Sequence, residues 1–277
     1  MSSLEKYLRE SARRISPAST ARRVSAVLTV SLALGLTVGC HRDPNKQKQR
    51  YLESGNRYAA QGKYKEATIQ FQNALKVDHN FAAAHYELSK VLVKQGSILP
   101  AYAELMRTVD LQPNNLPARI DLGSILVAGR QPAKAAEQAN AVLAIDPNNA
   151  DAYALLSSVA IANGDRAEAL AQIQKALAID PSRAAFHASL GFLQSSDPAT
   201  SASGEDQLRK AVSLDTKNVT AHLVLASLLR KKGDIKGAED QIKAAIAGDP
   251  KNVMARASLA ELYMQQNNTA KAEKPIV

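Results

Sequence analysis

A repeating period of 34 residues constrains the fold of this chain more than any other feature. Pro113, Pro147 and Pro181 follow one another at 34-residue intervals. A series of small residues keeps the same period, with one extra residue before its fifth member: Ala67, Ala101, Ala135, Ala169, Gly204, Ala238 and Ala272. A fixed period of this length is typical of a solenoid, in which each repeat packs on its neighbours. We therefore expect one elongated array that binds along a surface, without a single active-site cleft.

The composition favours a helical array. Apolar residues make up 45% of the 277 residues, but aromatic residues only 4%, and tryptophan is absent. A core built from alanine and leucine suits close packing of helices better than a β-sandwich or barrel. The fold class predicted is therefore all-α.

Glycine, aspartate and proline divide each repeat into two helices. The residues predicted to end the first helix in a left-handed conformation are Gly62, Gly96, Gly129, Gly164, Gly233 and Asn267. Asp165 and Asp234 follow such a glycine directly and are predicted N-caps of the second helix. The Asp-Pro pairs at 146–147, 180–181 and 249–250 end the second helix, because proline cannot continue it. Each repeat is thus predicted to be a helix–turn–helix hairpin.

This unit resembles the tetratricopeptide repeat. The fourth repeat shows the family's pattern of residues at Tyr153, Leu156, Ser157, Ala160, Ala169, Ile173, Ala176 and Pro181. The resemblance implies a right-handed superhelical solenoid over residues 48–277. Its repeats would be 48–81, 82–115, 116–149, 150–183, 184–218, 219–252 and an incomplete 253–277. The fifth repeat is irregular, and we expect a shortened first helix and a loop over 195–204.

The first 40 residues predict export and a lipid anchor. Arg22 and Arg23 precede a mostly apolar run of 15 uncharged residues, 24–38, which is too short for a comfortable membrane-spanning helix. The run ends at Thr37-Val38-Gly39-Cys40, which resembles the lipobox of bacterial lipoproteins. The resemblance implies a signal peptide over 1–39, a lipid on Cys40 and a polar tether over 40–47. Because His41 follows the cysteine instead of aspartate, it also implies the outer membrane, facing the periplasm.

The chain's charge does not predict a nucleic-acid partner. The formal net charge is +9, and residues 1–39 carry +4 of it, from six Lys/Arg and two Glu. Much of the basic excess therefore belongs to the predicted leader and not to the array.

No motif for catalysis or for binding a metal or cofactor occurs in the sequence. Phosphate-binding glycine loops, metalloprotease His motifs and paired-cysteine zinc spacings are all missing. His85, His187 and His222 recur at the fourth position of a first helix in three different repeats, which predicts a packing role. We expect no enzyme, no cofactor and no bound metal.

The resemblance instead implies a concave groove lined by positions two, five, nine and twelve of the first helices. The candidate groove residues are Tyr86, Lys90, Val93, Ile120, Ser124, Asp151, Ser158, Phe192, Leu223 and Arg230. Their sparse charge and small side chains suit an extended peptide or an amphipathic helix. The expected function is a non-enzymatic, lipid-anchored scaffold that presents this groove to a partner protein in envelope assembly or export. The alternative is the N-terminal interaction region of a longer multidomain protein or enzyme.

Overall fold

Thirteen α-helices and no strand make up residues 43–266, the part of the chain that the computed structural model describes. The helices are α1 (Pro44–Ala60), α2 (Tyr64–Val77), α3 (Ala82–Lys94), α4 (Ile98–Leu111), α5 (Leu116–Ala128), α6 (Pro132–Ile145), α7 (Ala150–Ala162), α8 (Arg166–Ile179), α9 (Ala184–Ser195), α10 (Ser201–Leu214), α11 (Val219–Lys231), α12 (Ile235–Gly248) and α13 (Val253–Gln265). They form six hairpins in sequence, from α1–α2 to α11–α12, and α13 follows as a further first helix. This is the all-α helical repeat solenoid that the period predicts.

Four of the predicted left-handed turns are confirmed, and one prediction is wrong by a residue. Gly62, Gly96, Gly164 and Gly233 have φ angles of +71°, +74°, +79° and +83°. In the third hairpin Gly129 has a φ of −79°, and Arg130 takes the left-handed conformation with a φ of 56°. The period itself leads from Gly96 to position 130, so the glycine one residue earlier was the wrong choice. Asn267 lies outside the described residues.

Side-chain caps start the helices as the sequence predicts. The carboxylate of Asp165 accepts the backbone N–H of Glu168 at 3.0 Å, and that of Asp234 accepts the N–H of Gly237 at 2.8 Å. Such caps bind backbone groups that have no partner inside the helix. First helices are capped in the same way by Asn115, Asn149, Asn218 and Asn252.

Helix α1 begins within the segment predicted as a polar tether over 40–47. Asp43 caps it by accepting the N–H of Asn45 at 2.9 Å, and Pro44 occupies the first turn. Proline suits that position, because the first turn needs no N–H donor and its fixed φ is helical. Residues 44–47 are therefore helical.

Two glycines allow helices to approach closely, but across different junctions. A Cβ on Gly55 would lie 2.3 Å from Cε1 of Phe71, so this glycine brings α1 and α2 together within one hairpin. A Cβ on Gly123 would lie 2.3 Å from Cδ2 of Leu155, which belongs to α7 of the next hairpin. Gly123 therefore brings neighbouring first helices together.

The first helices line the inner side of the array. Adjacent first helices pack on each other, as α5 does on α7 and α9 and α13 do on α11, whereas no two second helices share a comparable contact. Each second helix instead packs between the first helix of its own hairpin and that of the next. Because the first helices lie closer to one another than the second helices do, the array curves toward the row of first helices. The apolar core lies between the rows, with Phe71, Leu105, Leu122, Ile173, Leu208 and Leu225 almost fully buried.

The fifth hairpin is irregular over fewer residues than expected. Helix α9 has 12 residues where α3, α5, α7, α11 and α13 have 13, so the predicted shortening is confirmed. The predicted loop over 195–204 is too long, because α10 begins at Ser201 and only residues 196–200 connect the helices. In this turn Asp197 accepts the N–H of Ala199 at 2.9 Å, and the Thr200 hydroxyl donates to the carbonyl of Gln194 at 2.8 Å.

Between residues 43 and 266, every helix is too short or too polar to span a bilayer. The predicted signal peptide and Cys40 lie outside the described residues.

Candidate partner-binding groove

A polar side chain at the fourth position of the first helix holds successive hairpins together. In five hairpins this side chain donates to the carbonyl six residues earlier, in the turn that precedes its helix. The bonds are His85 Nε2 to His79 at 3.0 Å, Arg119 Nε to Pro113 at 2.7 Å, Tyr153 Oη to Pro147 at 3.1 Å, His187 Nε2 to Pro181 at 2.9 Å and His222 Nε2 to Thr216 at 3.1 Å. The donor therefore fixes the entry of each inner helix and with it the groove's shape.

The three histidines are buried at separate hairpins and serve this structural role. Their Nδ1 atoms contact the side chains of Glu104, Gln207 and Gln241 on the following second helices. The packing role predicted from their periodic positions agrees with these contacts. Within 43–266, no three His, Cys, Asp or Glu side chains gather closely enough to hold a metal ion.

The predicted groove residues lie along the inner row of helices, and several present apolar surface to solvent. Val93 on α3 is 42% exposed and Phe192 on α9 is 47% exposed. Ile161, at the twelfth position of α7, lies on the same row of helices and is 40% exposed. Ile120 on α5 and Leu223 on α11 are half-buried. Ser124 and Ser158 are exposed, but their hydroxyls donate to Ile120 and Ala154 in their own helices at 2.9 and 3.1 Å.

The N-terminal half of the groove holds a carboxylate that the predicted set misses. The hydroxyl of Tyr86 on α3 donates to Oδ2 of Asp121 on α5 at 3.0 Å. Burial raises the pKa of Asp121, against the opposing effect of the Tyr86 hydrogen bond. Burial, followed by the charge of Asp121, likewise raises the pKa of Tyr86. Asp121 follows the fifth-position residue Ile120, so a search that included position six would have found it.

The other charged residues of the groove are paired. The ammonium of Lys90 bonds Glu87 at 2.6 Å and lies over the ring of Tyr86, 4.8 Å from its centroid. Asp151 at the start of α7 contacts Nη1 of Arg183 at 3.2 Å. The predicted residues therefore come together in two sets along one surface: Tyr86 and Lys90 beside Asp121, and Asp151 beside Arg183.

The C-terminal part of the groove contains a small cavity of about 140 Å³ between α11, α12 and α13. Its walls are Leu223, Ala226, Ser227, Arg230, Ala238, Ile242, Ser258 and Glu261. At the rim, Nη1 of Arg230 lies 2.9 Å from Oε1 of Glu261. The cavity could accept one aliphatic side chain, with an ion pair at its mouth.

Comparisons with known proteins identify the repeat. Family models described as "TPR repeat" and "Tetratricopeptide repeat" match residues 55–96 and residues 126–191 and 229–274, respectively, together more than half of the chain. No curated protein sequence matches it.

Solved structures share the fold. A tetratricopeptide repeat protein from Parabacteroides merdae superposes with a TM-score of 0.71 at 13% identity and covers 94% of this chain and 98% of its own. The Cut9–Hcn1 hetero-tetramer of the APC/C gives a TM-score of 0.66 at 20% identity, over 84% of this chain and 46% of the other. MamA from Desulfovibrio magneticus gives a TM-score of 0.52 at 22% identity, over 62% of this chain and 97% of its own. At these identities the likeness concerns the fold alone.

Proposed function

Because the chain is a tetratricopeptide-repeat protein, a scaffold suited to protein–protein interaction, we propose that it binds a partner protein through the inner groove and does so without catalysis. The observation that carries this proposal is the row of exposed apolar side chains on the inner helices. Val93, Ile161 and Phe192 are exposed on the inner helices α3, α7 and α9, whose other large apolar side chains are buried or half-buried. Covering such a row with a partner is favourable, because it removes apolar surface from water.

We propose further that the protein acts at the bacterial cell envelope. The segment 1–39 is a lipoprotein signal peptide, Cys40 carries the lipid, and the described array faces the periplasm from the outer membrane. The support is the apolar run 24–38 that ends at the lipobox-like Thr37-Val38-Gly39-Cys40. The partner would then belong to an envelope assembly or export system.

The groove is tested by crosslinking in the native cells followed by purification of the chain. Phe192→Asp and Ile161→Asp place a charge on the apolar row and should abolish a crosslink that the wild-type chain forms. The matched control is Ile69→Asp, because Ile69 is 54% exposed but lies on the second helix α2. If all three variants retain the crosslink, the groove is not the binding surface.

The anchor is tested separately. Radiolabelled palmitate should label the wild-type chain and not Cys40→Ala, and this variant should leave the membrane fraction. A Cys40→Ala chain that stays in the membrane would contradict the anchor but leave the groove proposal intact.

A further inference from the structure

We propose that the groove segment formed by α3, α5 and α7 binds a lysine- or arginine-containing segment of the partner, with the basic side chain paired to Asp121 and aliphatic side chains covering Val93 and Ile161. This inference rests on the proposed function and specifies the chemistry of its ligand.

Asp121 differs from the other groove carboxylates in having no cation bonded to it. Glu87 bonds Lys90 at 2.6 Å, Asp151 bonds Arg183 at 3.2 Å and Glu261 bonds Arg230 at 2.9 Å. Among the residues that the structure describes, Asp121 accepts one hydrogen bond, from the neutral hydroxyl of Tyr86. A partly buried charge without a partner is costly, and a cation on the ligand would offset that cost.

One carboxylate oxygen of Asp121 has no bonded donor in the described part of the chain. Tyr86 bonds Oδ2, and no described donor bonds Oδ1. Lys90 is near enough for its charge to lower the pKa of Asp121, but its ammonium is held by Glu87. The carboxylate is thus oriented by one hydrogen bond and keeps a free oxygen for an ammonium or guanidinium group.

The apolar row sets the spacing within the ligand. Val93 and Ile161 stand at the twelfth positions of α3 and α7, and Asp121 at the sixth position of α5. Six residues of helix correspond to about 9 Å along the axis, and neighbouring helix axes lie about 8–10 Å apart, so the two positions are about 13 Å apart. An extended segment covers that distance in about four residues. The ligand is therefore a segment with a basic residue and an aliphatic residue about four positions apart.

A random twelve-residue peptide library displayed on phage tests the inference, with the full chain carrying Cys40→Ser as the target. The wild-type groove should enrich peptides that have Lys or Arg about four positions from an aliphatic residue. Asp121→Asn should lose the preference for the basic residue and keep that for the aliphatic one. The matched control is Asp110→Asn, because Asp110 is an exposed carboxylate on the second helix α4.

The enriched peptide and its version with Gln in place of the basic residue then give a double-mutant cycle. We expect the Gln peptide to bind the wild-type groove about tenfold more weakly, as for a hydrogen-bonded charge pair. The two peptides should bind Asp121→Asn equally. Enrichment without a basic residue would overturn this inference and leave the proposed function standing. No enrichment by any of the targets would overturn both.

The pH dependence provides a readout that a structural role of Asp121 would not produce. The titratable and charged groups that act on Asp121 are Tyr86 and Lys90 on α3 and Asp151 on α7, and Glu87 acts on its partner Tyr86. Because burial raises the pKa of Asp121, its charge is lost at a higher pH than that of an exposed aspartate. Affinity for the basic peptide should fall as the pH drops through this pKa, while Asp121→Asn should show no such fall.

In the absence of a peptide, the charge of Asp121 should lower the stability of the folded chain. A carboxyl group whose pKa is raised on folding destabilises the fold above that pKa, and the penalty disappears below the unfolded value. Asp121→Asn should therefore raise the melting temperature at pH 7, and the gain should vanish at acidic pH. A lower melting temperature at pH 7 would show that Asp121 supports the fold and would contradict a binding role.

Discussion

The fourth and fifth hairpins join their two helices through different turns. In the fourth hairpin, α7–α8, Gly164 takes a φ of +79° and Asp165 caps the next helix. In the fifth, α9–α10, no residue from Ser196 to Thr200 has a positive φ. Two side-chain hydrogen bonds hold this turn, one accepted by the Asp197 carboxylate and one donated by the Thr200 hydroxyl. The connection between the helices of a hairpin can therefore vary while the repeat continues in register.

The contact between the two helices is tighter in the fifth hairpin, which has the irregular turn, than in the fourth. At the position where the fourth hairpin has the fully buried Ala169, the fifth has Gly204. A Cβ on Gly204 would lie 2.7 Å from the backbone nitrogen of Ser195 and 3.0 Å from the carbonyl oxygen of Gly191. The irregular turn thus accompanies a backbone-to-backbone contact with no room for an added methyl group. The crossing, not the turn, is the constrained part of the hairpin.

The largest expected effect is that of Gly204→Ala. The added methyl group meets backbone atoms of α9 and cannot be accommodated by rotating a side chain. We expect a loss of about 3 kcal/mol in the free energy of unfolding, as for severe overpacking. Urea denaturation followed by circular dichroism measures it, with hydrogen exchange to show that the loss centres on α9 and α10.

Ala169→Gly is the matched change in the fourth hairpin. It removes a methyl group where Gly204→Ala adds one, and the loss should be about 2 kcal/mol, from helix propensity and from the lost burial of the methyl group. If Gly204→Ala costs no more than Ala169→Gly, then α9 and α10 can move apart and the crossing is not the constraint.

Particular residues show how far the sequence predicts this molecule. The period locates the hairpins, and the capping residues Asp165 and Asp234 locate helix starts, because both depend on local spacing. In the third hairpin the prediction chose Gly129 because glycine favours the left-handed conformation. The 34-residue period leads instead to Arg130, which is the residue that takes it. The closeness of Gly123 to Leu155, and the pairing of Tyr86 with Asp121, depend on the contact between neighbouring hairpins. A repeat pattern does not specify that contact.

The second prediction concerns the turns. Gly164→Ala places a Cβ in the left-handed region and should cost about 1–2 kcal/mol, although nothing lies within 4 Å of the new methyl group. Pro198→Ala in the fifth hairpin should cost less, since its turn uses ordinary φ values and side-chain bonds. Both are measured by urea denaturation. Equal losses would mean that the two turns do not differ in backbone strain.

The smallest expected effects come from the polar contacts of the residues at the fourth position of α7 and α9, which bond the turns before the two hairpins. In the fifth hairpin His187 bonds both the carbonyl of Pro181 and the side-chain amide of Gln207, at 2.9 and 2.6 Å. In the fourth, Tyr153 bonds the carbonyl of Pro147 at 3.1 Å. No donor among residues 43–266 reaches the buried Oε1 of Gln172, the residue equivalent to Gln207. The same position is thus satisfied in one hairpin and unsatisfied in the other.

Replacing each glutamine by leucine should therefore change stability in opposite directions. Gln207→Leu leaves Nδ1 of the buried His187 without a partner and should cost about 1 kcal/mol. Gln172→Leu removes a buried acceptor that has no donor and should stabilise the fourth hairpin by up to about 1 kcal/mol. The loss of the hydrogen bond from Gln172 to the exposed Glu168 reduces this gain. Thermal unfolding of the two variants and of the wild type makes the comparison. Destabilisation by Gln172→Leu as large as that by Gln207→Leu would show that an ordered water or a rotated amide satisfies Gln172, and that the two hairpins are equivalent at this position.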